Sequence, residues 1–196
     1  MTEPQVSQTI NEMAFNVAKQ FTFALASALT ATAKRAQTNT IGDIRNTFTV
    51  RNTWVNPGNA MGIKVLPASK MDLSTAVVTR ADWLIPHEEG ATKKPQGNYL
   101  AVPTRFVRRT KRDIIRKTQR PRNLKEGKTV VLPLRNGGRM IFERRNKRLV
   151  PLYRLIRQAQ IDEAPTLTEQ TLKTFEKEFE PLLYQKLRMA LATAKQ

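Results

Sequence analysis

Residues 129–143, TVVLPLRNGGRMIFE, contain two strand-like apolar runs on either side of Asn136-Gly137-Gly138. Asparagine and glycine readily adopt the positive φ angles that a tight hairpin turn requires. The stretch therefore predicts a β-hairpin. A further apolar run, Leu149–Ile156, follows a few residues later and predicts a third strand beside the hairpin.

The hairpin lies inside a strongly basic segment, Arg105–Arg157. Its 53 residues contain 19 of the chain's 34 Lys and Arg but only three acids, so the segment accounts for +16 of the net charge of +18. Like charges at this density repel one another unless an anionic partner lies nearby, and the usual partners are nucleic acid, a membrane surface or an acidic protein. The strand-like runs argue against a plain disordered basic tail.

The densest basic run lies in Arg105–Lys117, a stretch that we expect to be helical. This run has two interpretations. The more specific one is contact with nucleic-acid phosphates, and the other is a solvated or protein-binding basic surface. No aromatic ladder or helix-turn-helix pattern accompanies the run, so sequence-specific readout is not indicated. The candidate phosphate-binding residues are Arg108, Arg109, Lys111, Arg112, Arg116 and Lys117.

A second group of cations follows the expected hairpin strand Met140–Glu143. Between the two groups, residues 119–127 are predicted to form a charged connector rich in turns. The second group can be explained as a hairpin tip that binds an acidic neighbouring protein, and we therefore assign it to partner binding. Its members are Arg144, Arg145, Lys147 and Arg148.

A long helix is predicted near each end of the chain. The first spans about Ser7–Ala36 and carries an apolar stripe at steps of three and four residues. The stripe is interpreted as a core-facing surface. The alternative is a helix that lines an oligomer interface, because its Ala-rich second half suits close packing. The second helix begins at about Thr168, and Pro181 is expected to kink or split it. The stripe comprises Ile10, Met13, Ala14, Val17, Phe21, Leu25 and Ala28.

Between the first helix and the basic segment, short apolar runs alternate with turn residues. A polar break at Thr38–Arg45 is expected to end the helical region. Asp82–Ile85 predicts a short helical turn that ends before Gly90. Leu100–Pro103 is interpreted as the last strand of a small sheet. The other expected strands are Thr47–Val50, Gly62–Leu66 and Thr75–Thr79.

These elements predict an α+β fold, with a long N-terminal helix packed on a small, mostly antiparallel sheet, a basic β-hairpin arm and a C-terminal helix. Residues 1–104 are expected to form a core of helix and sheet. Residues 105–157 are expected to form a basic insertion that carries the hairpin, and residues 158–196 a helical segment that completes the core.

The composition argues against an enzyme. The chain has no cysteine and one histidine, so we expect no metal site, no catalytic triad and no cofactor. His87-Glu88-Glu89 lacks the second histidine of a metalloprotease helix and is interpreted as a solvated loop or helix end. The likeness of Phe21–Leu29 to a secretion signal is outweighed by the long polar lead before it. No run approaches the ~20 apolar residues that a membrane span needs.

Several stretches occur in an order that is found in a known family. AVVT (76–79) leads into ADWL (81–84), EEGATKKP (88–95) and LAVPT (100–104), and later come GRMIFERR (138–145) and KRLVPLYRL (147–155). This order resembles that of the tail-completion and minor tail proteins of tailed bacteriophages, of the minor tail protein Z type. The likeness spans most of the chain through loose motifs.

Two features carry this resemblance. In that group a strand and a short helix end in a Glu-x-Gly-Thr-like turn. Here the turn reads Glu-Glu-Gly-Ala-Thr, with one residue inserted before Thr92, and Gly90 is expected at a position with no room for a Cβ. The second feature is a hairpin with an aliphatic-Phe strand, a basic turn and a Pro-Leu-aromatic strand.

The resemblance implies a structural virion protein that joins head and tail as a ring-forming tail-completion or neck subunit around the DNA channel. The implied partners are further copies in a homo-oligomeric ring, the adjacent portal, adaptor or tail-tube proteins, and the backbone of genomic DNA. The implied location is the virion tail or neck, and the host cytoplasm during assembly, with no membrane partner. The alternative is a sequence-nonspecific nucleic-acid-binding protein that acts outside a virion ring.

Overall fold

The structure, a computed structural model, describes residues 3–135 and 137–193, with side chains described for Glu12 and from Ala14 onward. It has an α+β fold with two long helices and small antiparallel sheets. The chain divides into two compact units. We call Met1–Glu88 together with Ala164–Gln196 the helical unit, and Glu89–Glu163 the basic unit.

Two antiparallel helices dominate the helical unit, α1 (Glu3–Thr47) and α3 (Thr168–Thr193). Arg35 of α1 donates to Glu178 of α3 at 2.5 Å, and Asn39 donates to Thr174 at 3.1 Å. Small side chains let the two helix axes approach closely. The fully buried alanines of α1 are Ala24, Ala28, Ala33 and Ala36.

The polar break predicted at Thr38–Arg45 is wrong, since α1 continues through this stretch without interruption. The hydroxyl of Thr38 donates to the carbonyl of Lys34 one turn earlier, at 3.1 Å, and so does not compete with the helix. Ile41 and Ile44 pack into the core of the helical unit. Burial of these apolar residues therefore outweighs the local turn preference.

The apolar stripe expected to face the core does so only in part. Ala28 is 0% exposed, whereas Val17 is 57% and Phe21 48% exposed. Arg35 lies beside Glu178, and both helices rise equally for each residue. The last described turn of α3 therefore lies beside about residue 20 of α1. The earlier part of α1 therefore extends past α3. Ile10 and Met13 belong to the stripe but lie outside the described side chains.

The remaining elements of the helical unit close its core. β1 (Lys64–Leu66) and β2 (Ala76–Val78) form an antiparallel pair, and α2 is a single turn at Ile85–Glu88. The strand predicted at Thr47–Val50 is wrong, because α1 ends at Thr47 and Phe48 then turns into an aromatic cluster. The core comprises Ile44, Val55, Ile63, Ala81 and Leu84.

Pro181 does not split α3, which runs unbroken from Thr168 to Thr193. Proline cannot donate a hydrogen bond to the carbonyl four residues earlier, here that of Lys177. Both residues lie on the exposed side of the helix, so water can satisfy that carbonyl.

A four-stranded antiparallel sheet forms the basic unit, in the order β4-β7-β6-β5. The predicted hairpin is confirmed as β5 (Thr129–Pro133) and β6 (Arg139–Arg145), and the predicted third strand as β7 (Arg148–Ile156). β4 (Leu100–Pro103) is a strand as expected, but it pairs with β7 of this sheet and not with β1 or β2.

The basic unit begins earlier than the expected boundary at Arg105. β3 (Ala91–Lys93) pairs with β8 (Ala159–Ile161), and β4 pairs with β7, so strands on both sides of the basic segment belong to one unit. Gly90, which precedes β3, has a φ of +68°. A Cβ here would meet neighbours only at ordinary contact distances, so the positive φ and not a lack of space favours glycine.

The turn between β5 and β6 is longer than a two-residue Asn-Gly turn. Leu134 N–H donates to Gly138 at 2.7 Å, and Gly137 N–H donates back to Leu134 at 3.0 Å. Gly137 has a φ of +78°. A turn followed by a residue of positive φ is the usual three-residue hairpin loop. Asn136, part of the predicted turn, lies outside the described residues.

Candidate anion-binding surface

The basic unit carries most of the charge of the chain. Its 75 residues contain 21 of the 34 Lys and Arg and six of the 16 Asp and Glu, a net charge of +15 out of +18. These cations therefore belong to a folded unit that is built on an antiparallel sheet.

Much of this charge lies on a long loop between β4 and β5, residues 104–128, which we call the basic loop. Its apolar residues Val107, Ile115 and Leu124 pack against Leu152 and Tyr153 on one face of the sheet. Residues 107–124 form turns, an isolated β-bridge and two single 3-10 turns. The helix predicted for Arg105–Lys117 is therefore wrong, because these residues anchor a loop to the sheet.

Hydrogen bonds fold the first part of the basic loop into a small hairpin. Arg109 and Ile115 form a β-bridge, and Thr110 N–H donates to the Ile114 carbonyl at 2.8 Å. At its tip Asp113 has a φ of +58° and donates its N–H to Thr110 at 3.0 Å. Single 3-10 turns at 117–119 and 121–123 continue the loop. The loop is thus held by backbone hydrogen bonds as well as by its apolar anchors.

Tyr153 ties the second part of the loop to the sheet. Its side chain is buried, and its hydroxyl donates to the Gln119 carbonyl at 2.8 Å. Burial raises the pKa of this hydroxyl, although the nearby positive charge of Arg109 opposes the rise. The hydroxyl therefore stays protonated and remains a donor at neutral pH.

The six predicted phosphate-binding residues all lie on the basic loop, but they are not equivalent. Arg109 is half-buried and its guanidinium pairs with Asp113 at 3.2 Å, so it serves the fold of the loop. The other five are exposed: Arg108, Lys111, Arg112, Arg116 and Lys117. Arg116 N–H donates to the Arg108 carbonyl at 3.2 Å, which brings two exposed guanidinium-bearing residues side by side.

Sequence reasoning missed five further cations on the same loop. All are exposed, and they are spread among turn residues and apolar anchors, so no dense run marks them. The signal that could have found most of them is the turn-rich composition of residues 118–128, which predicts an exposed loop. The missed residues are Arg105, Arg120, Arg122, Lys125 and Lys128.

The predicted partner-binding residues surround a two-residue turn between β6 and β7. Asn146 and Lys147 both have positive φ, 43° and 62°, as a type I′ turn requires. Arg145 pairs with Glu143 at 2.5 Å and is half-buried, so it also serves the fold. Arg148 lies directly opposite Arg145 in the register and is exposed, as is Arg144.

In the cluster His87-Glu88-Glu89, the first two residues serve the structure of the helical unit. The His87 ring packs edge-on against Phe48 and Trp83, with centroids 5.0 Å and 5.8 Å away. The Glu88 carboxylate accepts hydrogen bonds from residues 166–168 at the start of α3. Within residues 3–135 and 137–193, no group of three or more His, Asp or Glu is placed to hold a metal ion. None of the helices described there has the length and hydropathy of a membrane span.

Comparison of this chain with protein-family models, with curated proteins and with solved structures gave no match.

Proposed function

We propose that this chain is a structural virion protein of a tailed bacteriophage, a ring-forming tail-completion or neck subunit that joins head and tail around the DNA channel. The observation that carries the proposal is the basic loop, which presents ten exposed cations on a folded scaffold. Cations held in this way suit contact with passing DNA phosphates, because such contact needs positive charge but no sequence readout.

The proposed assembly is favoured by exposed apolar side chains in the first half of α1. Phe15, Val17, Phe21 and Phe23 are large apolar residues within three turns of helix, and each is about half exposed or more. An isolated helical segment of this length is only marginally stable in water without tertiary contacts. Contact with further copies, or with an adjacent portal, adaptor or tail-tube protein, would bury these side chains.

The alternative function, a sequence-nonspecific nucleic-acid-binding protein outside a virion ring, is favoured by the same ten cations. The two proposals differ in assembly. A ring subunit forms a closed oligomer or adds to a neck complex, whereas the alternative binds nucleic acid as a monomer.

The test is the purified full chain, studied by sedimentation and by electron microscopy of particles. We expect closed rings, either alone or after addition of neck proteins, and labelled chain at the neck or tail end of the virion. A chain that stays monomeric at high concentration, binds DNA and is absent from particles would overturn the ring proposal and favour the alternative.

A further inference from the structure

One face of the sheet in the basic unit carries a groove that is apolar inside and cationic at its rim. Strand alternation places Val130 and Leu132 of β5 on the face opposite to Ile141 and the buried Tyr153. With Leu149 they line a groove of about 520 Å³. The remaining lining residues are Arg144, Lys147 and Arg148.

The rim of this groove needs an acidic partner. Arg148 faces Arg145 directly across the strands, and like charges in this position are destabilising. The nearby acid, Glu143, is engaged by Arg145. The rim cations are therefore available to the carboxylates of a binding partner. The apolar floor favours a partner that also presents apolar side chains beside those carboxylates.

The chain itself carries an exposed helical stripe of that chemistry, on α3. Leu172, Glu176, Glu180 and Tyr184 follow one another at steps of four residues, over roughly 18 Å of helix. Leu172 is 58% and Tyr184 62% exposed, and both glutamates are exposed. Two apolar side chains thus flank two carboxylates.

The two carboxylates of the stripe are the uncompensated acids of α3. Glu169 pairs with Lys173, and Glu178 pairs with Arg35. Among the described residues, no cation lies within ion-pair distance of Glu176 or Glu180. Like charges four residues apart weaken a helix slightly, so a cationic partner for this pair would stabilise α3.

We propose that the groove of one copy binds the α3 stripe of a second copy, with Leu172 or Tyr184 on the apolar floor and Glu176 and Glu180 against the rim cations. The proposal rests on the ring function above and names the contact between its subunits. Because groove and stripe are different surfaces, each bound copy leaves one of each free, and such contacts build a ring or a filament.

The test uses two double variants of the full chain, Arg144→Glu with Arg148→Glu in the groove and Glu176→Lys with Glu180→Lys in the stripe. Each should weaken self-association, measured by sedimentation velocity, by roughly tenfold or more, because opposed charges are replaced by like charges. All four changes in one chain should restore association. The control Lys64→Glu with Arg80→Glu changes two exposed cations of the helical unit and should leave association unaltered.

A mixture of the two double variants gives the sharpest result. Each variant keeps one intact surface, and the two altered surfaces carry complementary charges, so the mixture should associate as the wild-type chain does, although each variant alone stays monomeric. Melting temperatures of both variants should match that of the wild-type chain, which separates a lost contact from a lost fold.

Two outcomes would overturn this contact. If both double variants form normal rings, the ring proposal still holds, but the groove is not the contact between subunits. Loss of association without restoration by the fourfold variant, or loss of binding to a different acidic neck protein alone, would show that the occupant is not α3 of a second copy. If the wild-type chain never self-associates, with or without neck proteins, then this contact and the ring proposal fail together.

Discussion

The carboxylate of Glu88 accepts two hydrogen bonds from Thr166, from the backbone N–H at 2.8 Å and from the hydroxyl at 3.0 Å. The same carboxylate accepts the N–H groups of Leu167 at 2.8 Å and Thr168 at 3.1 Å. These donors belong to the first turn of α3 and the residues before it, where N–H groups have no partner within the helix. A residue some eighty positions earlier thus caps α3 and joins it to α2.

Replacement of Glu88 by Gln should destabilise the helical unit. The amide keeps one acceptor oxygen but loses the negative charge that favours a helix N-terminus. We expect a loss of about 1–3 kcal/mol in the free energy of unfolding, measured by urea denaturation. The matched control is Glu89→Gln, one residue later, which should have little effect. Equal stability of the two variants would contradict the capping role.

The same carboxylate makes stability depend on pH. Burial alone would raise the pKa of Glu88, but hydrogen bonds from Leu167, Thr168 and Thr166 outweigh it and lower the pKa below its ordinary value of 4.5. Its contribution is therefore present above pH 4.5 and is lost as pH falls through the lower pKa of the folded state. The difference in stability between wild type and Glu88→Gln should shrink on acidification. A difference that grows instead would be contrary to this assignment.

Lys147 is the residue of the β6–β7 turn that glycine should improve. Its φ of 62° is costly for a residue with a Cβ, and Asn-Gly is the preferred pair for this turn. We expect Lys147→Gly to stabilise the basic unit by about 0.5–1 kcal/mol, seen in thermal unfolding. Lys147→Ala removes the same charge but keeps the strained φ, so it should give no such gain. Equal gains from both changes would point to charge and not to backbone strain.

Two positions of the predicted apolar stripe should lose very different amounts of stability when a charge is introduced. Ala28 is fully buried, so Ala28→Asp should cost on the order of 3 kcal/mol or more in stability. Phe21 is about half exposed, so Phe21→Asp should change stability by only about 0.5–1 kcal/mol. Circular dichroism melts of both variants check the pair, and a larger loss for Phe21→Asp would mean that the end of α1 is covered within the chain.

DNA binding by the basic loop should be sequence-blind and strongly dependent on salt. Changing Arg108, Lys111, Arg112, Arg116 and Lys117 to Gln should reduce the slope of log affinity against log salt by about 4 to 5, if all five meet phosphates. Fluorescence anisotropy with duplex DNA measures this slope. The control changes five exposed cations of the helical unit to Gln, namely Lys19, Lys64, Arg80, Lys177 and Arg188. Equal loss of slope in both variants would indicate a diffuse charge effect without a dedicated surface.

The elements predicted correctly from sequence are those with strong local signals. Strands β5, β6 and β7 combine apolar runs with turn residues, and α3 has a long helical period, so neighbouring residues alone specify them. The long helix α1 was underestimated because its Thr38–Arg45 stretch is locally polar. Burial of Ile41 and Ile44 keeps that stretch helical.

The candidate site was also predicted only in part from the sequence. Composition alone identified the excess of cations and the two groups of candidate residues. It did not distinguish the exposed members from Arg109 and Arg145, which are paired with Asp113 and Glu143. Those pairs depend on the path of the basic loop and on the turn between β6 and β7, and backbone geometry decides both.

The sequence by itself determined that this chain is α+β, strongly basic in one segment and built around an antiparallel hairpin, because charge, turn chemistry and hydrophobic period are local properties. Tertiary structure alone decided that Val107, Ile115 and Leu124 anchor a loop to the sheet, that Glu88 caps α3, and that cations meet an apolar groove at Leu149. The loop anchors and the Glu88 cap join residues that are distant in the chain, and burial of a shared core brings such residues together. The groove depends on the pairing of β5 with β6, which sets Val130 and Leu132 beside the turn between β6 and β7.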